Sequence, residues 1–330
     1  MLQKINGFIT EIGGMTSHTA LIARSKAIPY IANIDIDSIF DCEGAAVIID
    51  GKQGQIIINP KEKTLKKYQN KQRALKNAQS AQEKKKKQQQ VTTLDGFRVH
   101  LCANIESLED LDFLRPYGAE GVGLFRTEFL LFGKKLHSFL EDGQFAIYNQ
   151  VVNRALDLPI VFRVFDVGGD KGNINPNKPE PNPALGCRGI RFLLRNREIF
   201  SMQLRALLRM TVFGQISILL PLISDISEVL QVKDLVQELA VELRSQGYKV
   251  AKEVPIGSMI EVPSAVMISD LLARECDFLS IGTNDLIQYT LAADRNTKEV
   301  QAYYKPTHRS VLRMIRFVTE QASKHGTPVS

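Results

Sequence analysis

His18 sits in Gly13-Gly14-Met15-Thr16-Ser17-His18, ahead of an apolar run through Leu21, Ile22 and Ala23. Two glycines permit a tight turn, and Thr16 or Ser17 suits the cap of a helix spanning Thr19 to Ser25. That places His18 in a first helical turn, where unpaired N–H groups and the positive end of the dipole favour an anion. A histidine that accepts a phosphoryl group needs this setting, although a surface histidine on a short helix has the same local signature. A second set of residues is spread along the chain: Arg126, Arg163, Arg188, Glu261, Asn284, Asp285 and Arg295. Guanidinium groups match phosphate and carboxylate with paired hydrogen bonds and hold their charge. Two hard carboxylates, Glu261 and Asp285, suit Mg²⁺, which takes one or two protein carboxylates and fills its octahedron with substrate oxygens and water.

The elements that must position these groups follow from the pattern. Residues 1–60 read as a small α/β unit, with strands at Phe8–Thr10, Pro29–Ala32, Ala45–Asp50 and Gln55–Asn59. Residues 61–92 read as one polar linker helix with a thin stripe of Leu65, Tyr68, Leu75 and Ala78. From residue 93 to 330, near-continuous apolar strands alternate with helical stretches. The strands are expected at Val99–Ala103, Gly121–Phe125, Ile160–Phe165, Ile216–Pro221, Ile256–Glu261 and Phe278–Gly282. Helices are expected near 108–114, around Phe145–Val152, around Phe200–Met210, over 225–243 and over Ala265–Ala273. Six such βα units predict a (β/α)₈ barrel that stops short of its end, with a doubly wound open sheet as the alternative. In a barrel, the polar residues above all fall at the C-terminal strand ends, where function sits. Each arginine alone could be a surface ion pair, and each carboxylate a structural cap. Their placement at one end of successive strands raises the functional reading.

Bulk properties exclude several classes. The net charge of +6 comes from residues 61–90, which hold eleven Lys/Arg and two Glu; without them the chain is slightly acidic. That run carries one aromatic, Tyr68, and reads as a solvated helix rather than a nucleic-acid surface. No stretch of about 18 apolar residues predicts a membrane span. Cys42, Cys102, Cys187 and Cys276 lack paired spacing, which fits reduced thiols in a cytoplasmic protein.

Several motifs carry a resemblance. Gly-Gly-x-Thr-Ser-His-x-Ala is similar to the phosphohistidine segment of the phosphoenolpyruvate-utilising enzymes. Gly-Leu-Phe-Arg-Thr-Glu-Phe-Leu, Asp-Val-Gly-Gly-Asp-Lys and the run from Ser280 to Asn296 resemble the enzyme I group of the bacterial sugar phosphotransferase system, across residues 93–310. The last run favours that group over pyruvate phosphate dikinase or phosphoenolpyruvate synthase; a non-catalytic remnant or binding module is the other alternative. The resemblance implies that His18 takes a phosphoryl group from phosphoenolpyruvate and passes it to a histidine-containing phosphocarrier protein, leaving pyruvate. It implies that Arg126, Arg163, Asn284, Asp285 and Arg295 bind phosphoenolpyruvate with Arg188 beside them, and that Glu261 and Asp285 hold Mg²⁺. Residues 1–60 correspond to the second half of a swivelling phosphohistidine domain, and the barrel to a homodimerising one. Cys187 departs from a usual Trp, and Thr307-His308-Arg309 from a usual His-Pro. The front docking domain, and the enolate-protonating cysteine beyond Ser330, are expected to be missing. Open edges are therefore expected on the strands at Val99–Ala103 and Phe278–Gly282, with poor solubility or self-association.

Overall fold

The computed structural model describes residues 5–11, 23, 28–35, 44–86, 91–131, 140–169, 180, 182–295 and 297–330, excluding the side chains of 76–86, 129 and 131. The chain divides into two compact units, residues 1–89 and 90–330.

In the first unit, β1 (Phe8–Thr10) pairs in parallel with β2 (Tyr30–Ala32). β3 (Val47–Asp50) and β4 (Gln55–Ile58) form an antiparallel hairpin with Asp50 opposite Gln55. The Asp50 carboxylate accepts the Lys52 and Gln53 amides, both at 3.2 Å, which fixes the turn. Helix α1 (Glu62–Lys86) follows Pro60, and Lys71 Nζ reaches Asp50 Oδ2 at 2.6 Å.

The second unit opens with a two-residue hairpin, β5 (Val91–Thr92) against β6 (Arg98–Val99). A six-stranded sheet follows: β7 (Cys102–Ile105), β8 (Gly121–Arg126), β9 (Ile160–Arg163), β10 (Ile216–Leu220), β11 (Ile256–Ile260) and β12 (Phe278–Ile281). Every pairing is parallel, and the order in space is the order in sequence. A doubly wound sheet would reverse its strand order at a switch point. This one does not, so it is a single winding, the wall of a (β/α)₈ barrel. Helices α2 (Glu141–Ala155), α3 (Ile190–Arg195), α4 (Arg197–Met210), α5 (Ile226–Ser245), α6 (Pro263–Met267), α7 (Ser269–Glu275), α8 (Thr283–Leu291) and α9 (Arg309–Lys324) fill the connections. The buried face of α4, with Ile199, Phe200, Leu204 and Leu207, joins one core with Phe125, Tyr148 and Phe162. Helix α5 starts at a capping box in which Asp225 and Glu228 satisfy each other's backbone ends. No helix of the described residues is long and apolar enough to cross a membrane.

Four expectations are corrected. The first barrel strand is Cys102–Ile105, not Val99–Ala103. Val99 pairs with Val91, and the Leu101 amide is taken by the Glu120 carboxylate at 3.3 Å instead of a sheet ladder. The helix expected near 108–114 is a 3₁₀ segment, Glu109–Phe113, and that over Ala265–Ala273 breaks at Ile268, whose backbone leaves the helical region. The edge expected to lie open at β12 is covered along its length. Leu279 and Ile281 donate to Pro328 and Ser330 at 2.9 and 2.8 Å, and Ser330 donates back to Leu279 at 3.0 Å. Val329 forms a parallel bridge with Leu279 at this edge.

Candidate active site

Arg126 and Arg163 are register partners, each the last residue of its strand. The pairing follows from the parallel ladder, which brings the C-terminal ends of β8 and β9 to one level. Arg163 is buried. Its Nη2 donates to Glu128 Oε1 at 3.1 Å, and its Nη1 lies 3.5 Å from Asp166 Oδ2. Glu128 also accepts the Asp166 backbone N–H at 2.7 Å, so one carboxylate ties the loop after β8 to the loop after β9. Arg126 instead reaches Glu106, just past the end of β7. The Nε atoms of both arginines are buried with no acceptor among the described residues.

Arg188 is fully buried and lies between two carboxylates. Nε and Nη2 donate to Asp166 Oδ1 and Oδ2 at 3.3 and 3.2 Å; Nη1 and Nη2 donate to Asp285 Oδ1 and Oδ2 at 3.5 and 3.3 Å. Nη1 also donates to the Tyr289 hydroxyl at 3.2 Å, and that hydroxyl donates to the Ala184 carbonyl. Burial alone would lower the pKa of either arginine. Around Arg163 the carboxylates of Glu128, Asp166 and Glu261 reverse this, and around Arg188 those of Asp166 and Asp285 do, so both pKa values are raised and both groups stay charged.

Backbone geometry makes the loop carrying Arg188 possible. Gly168 takes φ +98° and bridges to Arg188, and a Cβ there would run into the Cys187 carbonyl. The Gly-Gly of Asp-Val-Gly-Gly is thus where two backbone segments touch.

Glu261 follows the last residue of β11 and is buried, accepting the Leu222 N–H at 2.7 Å. Asp285 lies in the first turn of α8. Gly282 separates β12 from α8, and a Cβ there would stand 2.7 Å from Glu261 Oε2. Asn284 is exposed; its carbonyl accepts from the Tyr304 hydroxyl at 3.1 Å. Burial raises the Tyr304 pKa, with the Arg295 charge opposing and Asp285 adding to it, so Tyr304 lies within electrostatic reach of both.

Of the residues singled out in the sequence, the fold joins Arg163, Arg188 and Asp285 in one network with Glu261 in its field, and sets Arg126 beside it on the sheet. Asn284 contacts Tyr304, and the Arg295 backbone N–H donates to Gln288 Oε1 of α8 at 3.4 Å. His18 lies outside the described residues. Glu128, Asp166 and Tyr289 were missed as partners. Glu128 and Asp166 stand two and three residues after the arginines at the strand ends, a spacing that could have flagged them.

A cluster of arginines and buried carboxylates at the C-terminal edge of a single-wound parallel sheet defines a class that comparison with known proteins makes specific. Residues 80–330 match the model of the PEP-utilising enzyme, PEP-binding domain, and residues 1–54 that of the PEP-utilising enzyme, mobile domain. The chain belongs to the PEP-utilising enzyme family. It is 42% identical over 323 residues to the phosphoenolpyruvate-protein phosphotransferase of Priestia megaterium, covering 98% of this chain and 56% of that protein. The protein of the same name from Bacillus subtilis strain 168 is 41% identical over 323 residues, with the same coverage. The chain therefore spans about half the length of the curated relatives it matches. Among solved structures, a HpcH/Hpal aldolase/citrate lyase family protein from Burkholderia cenocepacia aligns at a TM-score of 0.42 and 13% identity, over 70% of this chain and 77% of its own; that likeness is too slight to inform the reading.

Proposed function

We propose that the site at the strand ends binds phosphoenolpyruvate and serves phosphoryl transfer to His18, and from there to a histidine-containing phosphocarrier protein. The observation that carries this reading is the pair of neighbouring strand-end arginines, Arg126 and Arg163, whose buried Nε donors have no acceptor among the described residues. A ligand with a phosphate and a carboxylate supplies such acceptors in the bidentate geometry that guanidinium prefers.

In this reading Arg126 and Arg163 orient the phosphate, and Arg188 holds Asp166 and Asp285 in place beneath it. An imidazole nitrogen of His18 attacks phosphorus, the bond between phosphorus and the enol oxygen breaks, and the electron pair stays on that oxygen. Pyruvate forms when the enolate takes a proton at carbon. Such transfer draws mainly on in-line positioning and charge stabilisation. Asn284 flanks the site beside Tyr304, and Arg295 beside Gln288.

The residues present fit a bound Mg²⁺. Among the described residues, the carboxylates of Glu128, Asp166, Glu261 and Asp285 gather around the two buried guanidinium groups of Arg163 and Arg188, a set of hard oxygen donors of the kind Mg²⁺ takes. Gly282 also leaves space against Glu261 Oε2 that a side chain would fill. Glu261 and Asp285 would hold the ion, which would neutralise charge on the phosphoryl oxygens.

Calorimetric titration with phosphoenolpyruvate tests the reading. Saturable binding that needs Mg²⁺ and is lost in Glu261→Ala is expected, and equal binding of inorganic phosphate overturns it. Labelling with phosphoenolpyruvate should give an acid-labile, base-stable phosphate, and label surviving in His18→Ala removes His18 from the scheme.

A further inference from the structure

Gln203 lies on the buried face of α4 beside Phe200, Leu204 and Leu207, and is itself fully buried. A primary amide in an apolar core costs stability unless its hydrogen bonds are made. Here they are made. Oε1 accepts the Phe165 N–H at 3.0 Å, and Nε2 donates to Thr127 Oγ1 and to the Tyr148 hydroxyl, both at 3.1 Å. Thr127 Oγ1 in turn donates to the Arg163 carbonyl at 2.9 Å, and Tyr148 donates to Gln144 Oε1 at 3.0 Å. The amide can face only one way, because the Phe165 N–H is a donor and needs the oxygen.

The backbone groups it serves lie where the sheet ladder runs out. β9 ends at Arg163, and Val164 makes its last backbone bond, to Leu219 at 3.1 Å. The next N–H, that of Phe165, is buried beyond the ladder and goes to Gln203. Thr127 stands between Arg126 and Glu128, and Phe165 between Arg163 and Asp166. One side chain from the outer helix layer therefore ties together the two strand ends that carry four charged groups of the site.

We propose that Gln203 is a positioning residue for this anion site: it extends the hydrogen bonding of β8 and β9 past their ends and so fixes Arg126 and Glu128 relative to Arg163 and Asp166. The inference rests on reading the site as one for phosphoenolpyruvate. Gln203 touches no ligand in this scheme; it acts through Thr127 and Phe165.

The test is Mg²⁺-phosphoenolpyruvate affinity of the 330-residue chain by calorimetry, at a temperature where every variant is folded by circular dichroism, with amide exchange at Phe165 alongside. Gln203→Met keeps the length and helix propensity but removes the amide. It should weaken binding by about tenfold, the scale of one net hydrogen bond lost from the support of the two arginines, and should speed exchange at Phe165. Leu243→Ala truncates a buried core residue near the C-terminal end of α5, the end away from the site, and should lower stability with no change in affinity. Thr127→Val should weaken binding in the same direction and Thr127→Ser should restore it, which carries the test if Gln203→Met does not fold. Wild-type affinity in Gln203→Met, or in Thr127→Val if that is the variant read, overturns the positioning role alone. No binding by the wild-type chain overturns the phosphoenolpyruvate reading, and Phe165 exchange then still reports whether Gln203 holds the strand end.

Discussion

Arg188 donates to Asp285 across ninety-seven residues of sequence, joining the loop after β9 to the first turn of α8. The same guanidinium holds Asp166, so two buried carboxylates that would repel each other share one cation. Site and fold are therefore coupled through this residue.

Arg188→Met should destabilise the barrel unit by roughly 3–5 kcal/mol, because it takes a buried cation away from both Asp166 and Asp285. Urea denaturation measures it. Adding Asp166→Asn to Arg188→Met should recover part of the loss, a non-additivity expected of groups in one network. Losses that simply add would show that Asp166 and Arg188 are not energetically coupled.

Gly282→Ala should act on Glu261. Its backbone angles are accessible to alanine, so the effect comes from the new methyl against Glu261 Cβ and Oε2, both 2.7 Å away. Overpacking of this kind costs about 1–3 kcal/mol. The expected result is a folded protein whose phosphoenolpyruvate binding no longer responds to Mg²⁺. A metal response equal to wild type would show that Glu261 adjusts freely.

Burial raises the Cys276 thiol to a pKa of about 12, above the ordinary 9.0. The folded state thus holds this proton more tightly than the unfolded one. Its contribution to stability is complete below the unfolded value and is lost as pH rises from about 9 towards about 12. Cys276→Ala should flatten that part of the stability profile. Cys276 should also resist alkylation at pH 8 while the exposed Cys102 reacts. Equal labelling rates for the two would contradict the burial of Cys276.

In the first unit, the hydrogen bond from Lys71 leads the causes that lower the Asp50 pKa. The folded state favours the carboxylate, so its contribution is present above the ordinary value of 3.8 and is lost as pH falls through the lowered one. NMR titration of the Asp50 carboxyl should give a midpoint below 3.8, and Lys71→Met should raise it. An unchanged midpoint in the variant would leave the Lys52 and Gln53 amides as its main stabilisers.

Much of the barrel was legible in the sequence because each strand from β8 to β12 is a compact apolar run bounded by turn residues. The first strand was not. Val99 and Leu101 look like strand residues, yet the Glu120 side chain draws this stretch into contacts that no periodicity reports. The arginines stood out because arginine at the end of an apolar strand is unusual. Their partners did not, since which carboxylate faces Arg188 depends on loops folding back across the barrel mouth. Gln203 was invisible for a related reason. A glutamine amid a helix's apolar face reads as an interruption until the strand end behind it is known.

The charge balance of the network gives the site the character of an ion exchanger. Each guanidinium already has a carboxylate counter-ion, so an anion that takes the open Nε donors must share each cation with a carboxylate, and the carboxylate whose counter-charge is thus divided then wants a cation. A free phosphate brings none. A metal-complexed anion brings both halves of the swap, so its entry leaves the net charge of the buried cluster nearly unchanged. Selectivity between the two would then be set by the carboxylates, the side chains that repel the ligand, as much as by the arginines that attract it.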